Sequence, residues 1–342
     1  LPVLNFRKRL PTIMMPQEIL DKAFLRVSKI DATGDSKFDM IKNKSTARVN
    51  AAGDIVHSIL LKYNRAFPSV NKREGFTVEL MCVLIDMDQL KRSLSKLEWG
   101  AEKVQELRKE YDRRIKAARD LDELDSARKE FYGRTSSIVW RMEPHLKTLA
   151  KAREELRKIP LVDEEIPTMV IAGFPNVGKS QLVERISTAK PKIAPYPFTT
   201  QGICIGHKTV GWRKFQVIDT PGLLDRPLEE RNSIELQAIL ALKYLADLIV
   251  FVIDPTGTAG YTLEQQERLL ASVKQNFPDV HLLVVENKAD ILRTDSDRRK
   301  ISALSGEGIP ELLEEIMVFF KENEKDSLLS EPIDRISNSR PL

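Results

Sequence analysis

The octapeptide GFPNVGKS (Gly173–Ser180) fits G-x-x-x-x-G-K-[ST] at every defined position. It follows the apolar run TMVIA and precedes the helical SQLVERIST, the strand–loop–helix context that this pattern needs. Gly173 and Gly178 let the backbone of Phe174, Pro175, Asn176 and Val177 curl, so that the loop's N–H groups, which Pro175 lacks, point at the phosphates. The N-terminus of the following helix, from Lys179 through Ser180 and Gln181, adds its positive dipole end. Lys179 is expected to reach the β- and γ-phosphates of a nucleotide, and Ser180 to place its hydroxyl on Mg²⁺.

A second metal-side group is Asp219 in DTPG, which closes the apolar run FQVI 40 positions after Lys179. It sits where a carboxylate orders the Mg²⁺ shell, directly or through water. The backbone N–H of Gly222 would touch the γ-phosphate. Between the two elements, PYPFTTQGI (Pro195–Ile203) has two prolines and no helical period, as a switch loop would. Thr200 is the first choice to offer its hydroxyl to Mg²⁺ and its N–H to the γ-phosphate, and Thr199 the second. Lys179, Thr200 and Gly222 are thus the candidates for catalysis, and Ser180, Thr200 and Asp219 the candidates for metal. The residue after Gly222 is Leu223, whose side chain cannot orient a water in the way a glutamine does.

ENKAD (Glu286–Asp290) follows the apolar run HLLVV. In N-K-x-D the Asp290 carboxylate accepts from guanine N1–H and the 2-amino group; adenine lacks both donors and would leave it unpaired. Asn287 would bond the base and tie this loop to the phosphate loop, and the Lys288 stem would lie along the base plane. In SAL (Ser302, Ala303 and Leu304), the Ala303 N–H is placed to donate to guanine O6.

The elements that must hold these groups fall into two halves. From Leu97, apolar residues recur at Ala101, Val104, Leu107, Tyr111, Ile115 and Ala118, which predicts an amphipathic helix. A second run, Phe131, Thr135, Ile138, Met142, Leu146 and Leu149, predicts its antiparallel partner, with a kink at Pro144 and a cap region at Asp120–Ser126. Shorter helices are expected over Gln17–Lys29, Ala51–Phe67 and Thr77–Arg92, and a polar loop over Ser28–Lys44. After Pro160 and Pro167, six β-rich runs alternate with helical ones: TMVIAG, ICIGHKTV, KFQVID, LIVFVID, HLLVVEN and RKISA. That alternation predicts an α/β unit with a mostly parallel six-stranded sheet. The expected division is a helical domain over residues 1–160, a nucleotide-binding domain over 161–321 and a polar tail over 322–342.

Composition bounds the possibilities. The 342 residues are 42% hydrophobic and 30% charged, as in a globular protein of two ordinary domains. Two cysteines, Cys82 and Cys204, lack metal-ligand spacing and suggest a reducing compartment. Arg7, Lys8 and Arg9 precede no apolar segment of the secretory kind, and Ala238–Ile253 is too short and too charged to span a bilayer. Residues 1–160 hold 33 Lys and Arg against 23 Asp and Glu, a net +10, whereas the remainder is net −6. A basic half suits a polyanionic partner; a solvated lysine-rich surface is the plainer alternative.

GFPNVGKS, YPFTT and DTPGLLD resemble the Obg-like GTPases, and DTPGLLDRPLEERNSIELQAI (Asp219–Ile239) resembles their Nog, or nucleolar GTP-binding protein, branch. The stretch NFRKRLPTIMMPQEILDKAFLR and the helical half agree with that branch. The resemblance implies a Ras-like P-loop GTPase domain of strand order 2-3-1-4-5-6, preceded by an all-α helical bundle. It implies GTP and GDP as ligands, Mg²⁺ as cofactor, slow intrinsic hydrolysis and a role in maturing the large ribosomal subunit. The expected partners are the pre-ribosomal large subunit and its rRNA, not DNA or a membrane, with Arg7, Lys8, Arg9, Arg113, Arg114 and Lys116 as candidate RNA contacts. The absence of a long C-terminal extension points to the archaeal form, and so to the cytoplasm. Gln181 departs from the usual second Ser/Thr after G-K-S. In GTPases with similar P-loops, an asparagine at the position of Asn176 holds a K⁺ ion beside the phosphates; here it either does so, and joins the catalytic set, or only shapes the loop. A GTPase serving RNA modification or another translation-linked RNA partner is the alternative function. An ATPase, as in one Obg-like branch, is disfavoured by Asn287 and Asp290.

Overall fold

The computed structural model describes residues 10–67, 75–199, 202–210, 213–226 and 228–329. Six helices come first: α1 (Pro16–Ser28), α2 (Lys37–Ala66), α3 (Phe76–Leu84), α4 (Met87–Ala117), α5 (Leu121–Arg141) and α6 (Glu143–Leu156). The chain divides into two compact units. Most of the helices form one; residues from Pro160 onward, with residues 76–80 at the start of α3, form the other.

The helical unit is built on the stripes read from the sequence. Val49 and Ala52 of α2, Leu107, Tyr111 and Ile115 of α4, and Leu124, Ala127 and Phe131 of α5 make one buried cluster. Its helices begin where a side chain can cap them. Asp120 accepts from the Glu123 N–H at 2.8 Å and opens α5. Asp86 does the same for Gln89 and opens α4, so the single helix expected over Thr77–Arg92 is two. Ser36 caps α2 by accepting from Asp39 N–H at 3.1 Å. The helix therefore starts at Lys37, inside the segment expected to be a loop, because one cap outweighs a weakly apolar first turn. At Pro144 the second expected helix does not merely kink. It ends at Arg141, and α6 begins with that proline in its first turn, where no backbone N–H is needed.

The second unit is one seven-stranded sheet. Its strands are β1 (Thr168–Ala172), β2 (Lys192–Ala194), β3 (Ile203–Val210), β4 (Arg213–Asp219), β5 (Leu248–Ile253), β6 (His281–Glu286) and β7 (Arg299–Lys300), in the order β2-β3-β4-β1-β5-β6-β7. The six expected runs are all present. The seventh strand is β2, a three-residue edge strand antiparallel to β3, too short to show a period. Without it the order is β3-β4-β1-β5-β6-β7, which is 2-3-1-4-5-6 when the six remaining strands are numbered in chain order. Strands β3 and β4 are antiparallel, and the pairs on either side of β1 are parallel. All residues of β1 and β5 are buried, as continuous apolar runs in a covered parallel sheet must be. The helices are α7 (Lys179–Ile186), α8 (Ser233–Leu240), α9 (Leu263–Asn276) and α10 (Ile309–Leu329). The last continues to Leu329, well into the region expected to be a loose tail. Among the described residues, no helix is long and apolar enough to cross a membrane.

Candidate nucleotide-binding site

The register of the sheet assembles the site. Ile171 of β1 lies beside Asp219 of β4, so both strands end at one edge, where the loop Gly173–Gly178 leaves β1. Gly173 has φ +135°, and a Cβ there would lie 2.5 Å from the Val252 carbonyl oxygen. Gly178 has φ +100°, and a Cβ would lie 2.2 Å from Asn287 Nδ2. Both conformation and close approach thus require glycine at these two positions. Asn176 adopts φ 63° and is exposed at the loop's tip. Asparagine is one of the few side chains that tolerate that geometry.

Lys179 is buried, and its Nζ donates to the Phe174 carbonyl at 2.7 Å, across its own loop. Burial lowers its pKa, opposed by the charges of Asp219 and Asp225. Ser180 Oγ donates to Asp219 Oδ2 at 2.6 Å. The other carboxylate oxygen, Asp219 Oδ1, is buried with no hydrogen-bond partner among the described residues. Burial pushes the Asp219 carboxyl above the usual range, against the pull of Ser180 and Lys179. An exposed serine hydroxyl beside an orphaned carboxylate oxygen fits a hard cation with oxygen ligands.

The Gly222 N–H, assigned to a γ-phosphate, donates instead to Asp225 Oδ2 at 2.8 Å. Leu223 is buried, so its side chain faces no attacking water. Thr200, the first choice for the switch, lies outside the described residues. Thr199 Oγ1 donates to the Tyr196 carbonyl at 3.0 Å and accepts from Gly202 N–H at 3.1 Å. Tyr196 anchors this segment by donating to the Ala238 carbonyl at 2.7 Å. Phe174, Pro175, Phe198, Thr199, Gly222 and Asp225 line one cleft of about 630 Å³.

On the base side, Asn287 Nδ2 donates to the Val177 carbonyl, and its Oδ1 accepts from Ala303 N–H, both at 2.8 Å. One buried side chain therefore ties the phosphate loop to both base-reading loops. The Ala303 N–H expected to serve O6 is engaged by Asn287 here. Ser302 is buried, with Oγ accepting from Ser305 N–H at 3.1 Å, while Asp290 and Leu304 are exposed. Gln181 is exposed and lines a smaller recess with Ala303 and Leu304. Lys288 has φ 65°, and its Nζ pairs with Asp254 Oδ2 at 2.5 Å and with Thr258 Oγ1 at 2.6 Å. Asp254 also accepts from Thr256 and Ala259 backbone N–H groups, both at 2.9 Å. Asp225 and Asp254 carry no chemical signal of their own in the sequence, although each closes a run that does: DTPGLLD and LIVFVID.

Two family profiles match: the NOG1 N-terminal helical domain over residues 6–163 and nucleolar GTP-binding protein 1 (NOG1) over residues 233–290. The chain belongs to the NOG1 family. An uncharacterized protein of Methanocaldococcus jannaschii is 41% identical over 297 residues, covering 86% of this chain and 83% of its own length. Nucleolar GTP-binding protein 1 of Drosophila melanogaster is 35% identical over 78% of this chain. There the match spans only 41% of the relative's length. The crystal structure of a Plasmodium falciparum nucleolar GTP-binding protein 1 is similar at 29% identity and TM-score 0.44, over 50% of this chain and 94% of that one. Within this NOG1-family chain, the second profile runs from α8 to Asp290 and so includes Asp254, Asn287 and Lys288.

Proposed function

We propose that the chain is a GTP-binding switch and slow GTPase that acts on the assembling large ribosomal subunit. The observation that carries the nucleotide reading is the double hydrogen bond of Asn287, which brings the phosphate loop and the two base-reading loops into one site.

In this reading, Lys179 gives up its Phe174 carbonyl for phosphate oxygens, and burial keeps its charge short of solvent competition. Ser180 and Asp219 would hold Mg²⁺, which would screen the charge of the phosphates. Asp219 Oδ1 is the free oxygen for that purpose. Asp290 reads the guanine edge from an exposed position, and Asp254 fixes the Lys288 stem. With Leu223 buried and no glutamine after Gly222, intrinsic turnover is slow, and Thr200 and Asn176 remain as the candidates to assist it.

The ribosomal role rests on the family and on the net charge of +10 over residues 1–160. Arg113, Arg114 and Lys116 are exposed, but Arg114 pairs with Glu130 at 2.7 Å and Lys116 with Asp112 at 2.8 Å. Arg7, Lys8 and Arg9 lie outside the described residues. Surface pairs of this kind are weak enough to exchange for phosphates. The test is co-sedimentation of the full chain with large ribosomal subunits across a salt series, with GDP or a non-hydrolysable GTP analogue. Salt-sensitive association that differs between the two nucleotides is expected; association indifferent to both would refute the role.

A further inference from the structure

The Gly222 N–H can serve one acceptor well, and here that acceptor is Asp225 Oδ2 at 2.8 Å. A carboxylate oxygen is an anionic acceptor of the same kind as a terminal phosphate oxygen. Asp225 is itself held. Arg231 Nη2 lies 3.1 Å from Asp225 Oδ1 and donates to the Leu223 carbonyl at 2.8 Å, bracing the turn from both sides. The Arg231 side chain is only 4% exposed, and its Nε is buried without a partner among the described residues. Glycine φ at 222 is +76°, so the N–H direction is fixed by the turn and does not come from a floppy chain.

The charge of Asp225 reaches the rest of the site. It acts on Lys179, the expected phosphate ligand, and it adds to the repulsion on Asp219. A diphosphate would leave this carboxylate where it is, whereas a terminal phosphate seeking the Gly222 N–H would have to expel it, both from the N–H and from the neighbourhood of its own charge.

We propose that Asp225, braced by Arg231, is an internal stand-in for the terminal phosphate and sets how strongly the site prefers triphosphate over diphosphate. The proposal rests on the nucleotide reading above and names the residues that regulate that same site. Asp225 is the competing ligand, and Arg231 is a positioning residue that acts through it. Expulsion of Asp225 releases the bond to Arg231, so the hold of Arg231 on Asp225 is lost as the triphosphate binds.

The test compares full-length wild type with Asp225→Asn, which keeps the shape of the side chain and removes its charge, and with Arg231→Lys. Affinities for GDP and for a non-hydrolysable GTP analogue are measured by calorimetry with Mg²⁺, and hydrogen exchange of the Gly222 amide is followed in the ligand-free protein. In Asp225→Asn the analogue is expected to bind about tenfold more tightly with GDP unchanged, in line with loss of one charge-assisted hydrogen bond. Gly222 amide exchange should accelerate in the same variant. Arg231→Lys should shift the analogue-to-GDP ratio in the same direction by less. Equal shifts for both nucleotides, a loss of analogue affinity alone, or an unprotected Gly222 amide in the wild type would overturn the proposal. A wild type that binds neither nucleotide would overturn the nucleotide reading, and this proposal with it.

Discussion

Ser180 and Asp219 share a 2.6 Å hydrogen bond, Oγ to Oδ2, while the second Asp219 oxygen is buried with no partner among the described residues. Burial holds the Asp219 carboxyl above its ordinary value of 3.8. A raised carboxyl favours the fold fully only below the unfolded value, and that contribution is lost as pH rises through the folded one. At neutral pH the ionised group is thus a cost that a cation offsets. Asp219→Asn should raise the melting temperature of the metal-free protein, by about 2–4 °C for each kcal/mol relieved. The same variant should lose all strengthening of nucleotide binding by Mg²⁺. Thermal melts in EDTA and in Mg²⁺ check both; a lower melting temperature in EDTA would count against the orphaned-oxygen argument.

Asp254 shows the opposite behaviour. Burial pushes its carboxyl up, but the bonds from Lys288 and Thr256 outweigh that and leave it below the ordinary 3.8. Its stabilising contribution is present above the unfolded value and disappears as pH falls through the folded one. Asp254→Asn should therefore destabilise the protein at pH 7 by about 1–3 kcal/mol, the cost of a broken charge-assisted pair. The gap between variant and wild type should narrow below about pH 4, close to the ordinary carboxylate value. Because Asp254 holds Lys288 on the base side, GDP and GTP affinities should fall together. Urea denaturation at several pH values, with nucleotide titrations at pH 7, reads all three.

Asn176 is the candidate for holding a K⁺ ion near the phosphates. It is exposed at φ 63°, at the outer tip of the loop. GTP hydrolysis by the wild type should be faster in K⁺ than in Na⁺, and Asn176→Asp should alter that response. Steady-state rates in the two salts decide it. Equal rates would leave Asn176 as a loop-shaping residue only.

Much of this was legible in the sequence because it is written in local patterns. Of the six strand runs, TMVIA and LIVFVI stand out most because strands buried on both faces of a parallel sheet are continuously apolar, while the others are short β-rich runs set between helical ones. Gly173 and Gly178 stand out because no other residue fits their backbone angles and neighbours. What escaped was short or depended on distant partners. Lys192–Ala194 is three residues long and becomes a strand only by pairing with Ile203–Ile205. The start of α2 turns on one hydroxyl, Ser36, in a polar stretch that reads as a loop. Asp225 and Arg231 are ordinary charged residues until the fold sets them 3.1 Å apart beside Gly222. Asp254 needs Lys288, 34 residues on, before its role is visible.

Guanine recognition by Asp290 is the claim on which the rest depends, and base exchange tests it most directly. A carboxylate there accepts from guanine N1–H and the 2-amino group; an amide accepts from N1–H and donates, which matches the O2 carbonyl of xanthine. The measurement is titration of full-length wild type and Asp290→Asn with GDP, XDP and ADP in Mg²⁺. Wild type should prefer GDP over ADP and XDP by about a hundredfold or more, since the wrong base leaves polar groups unpaired. Asp290→Asn should reverse the order of GDP and XDP. ADP binding as tightly as GDP in the wild type, or a preference unchanged by the substitution, would contradict the account.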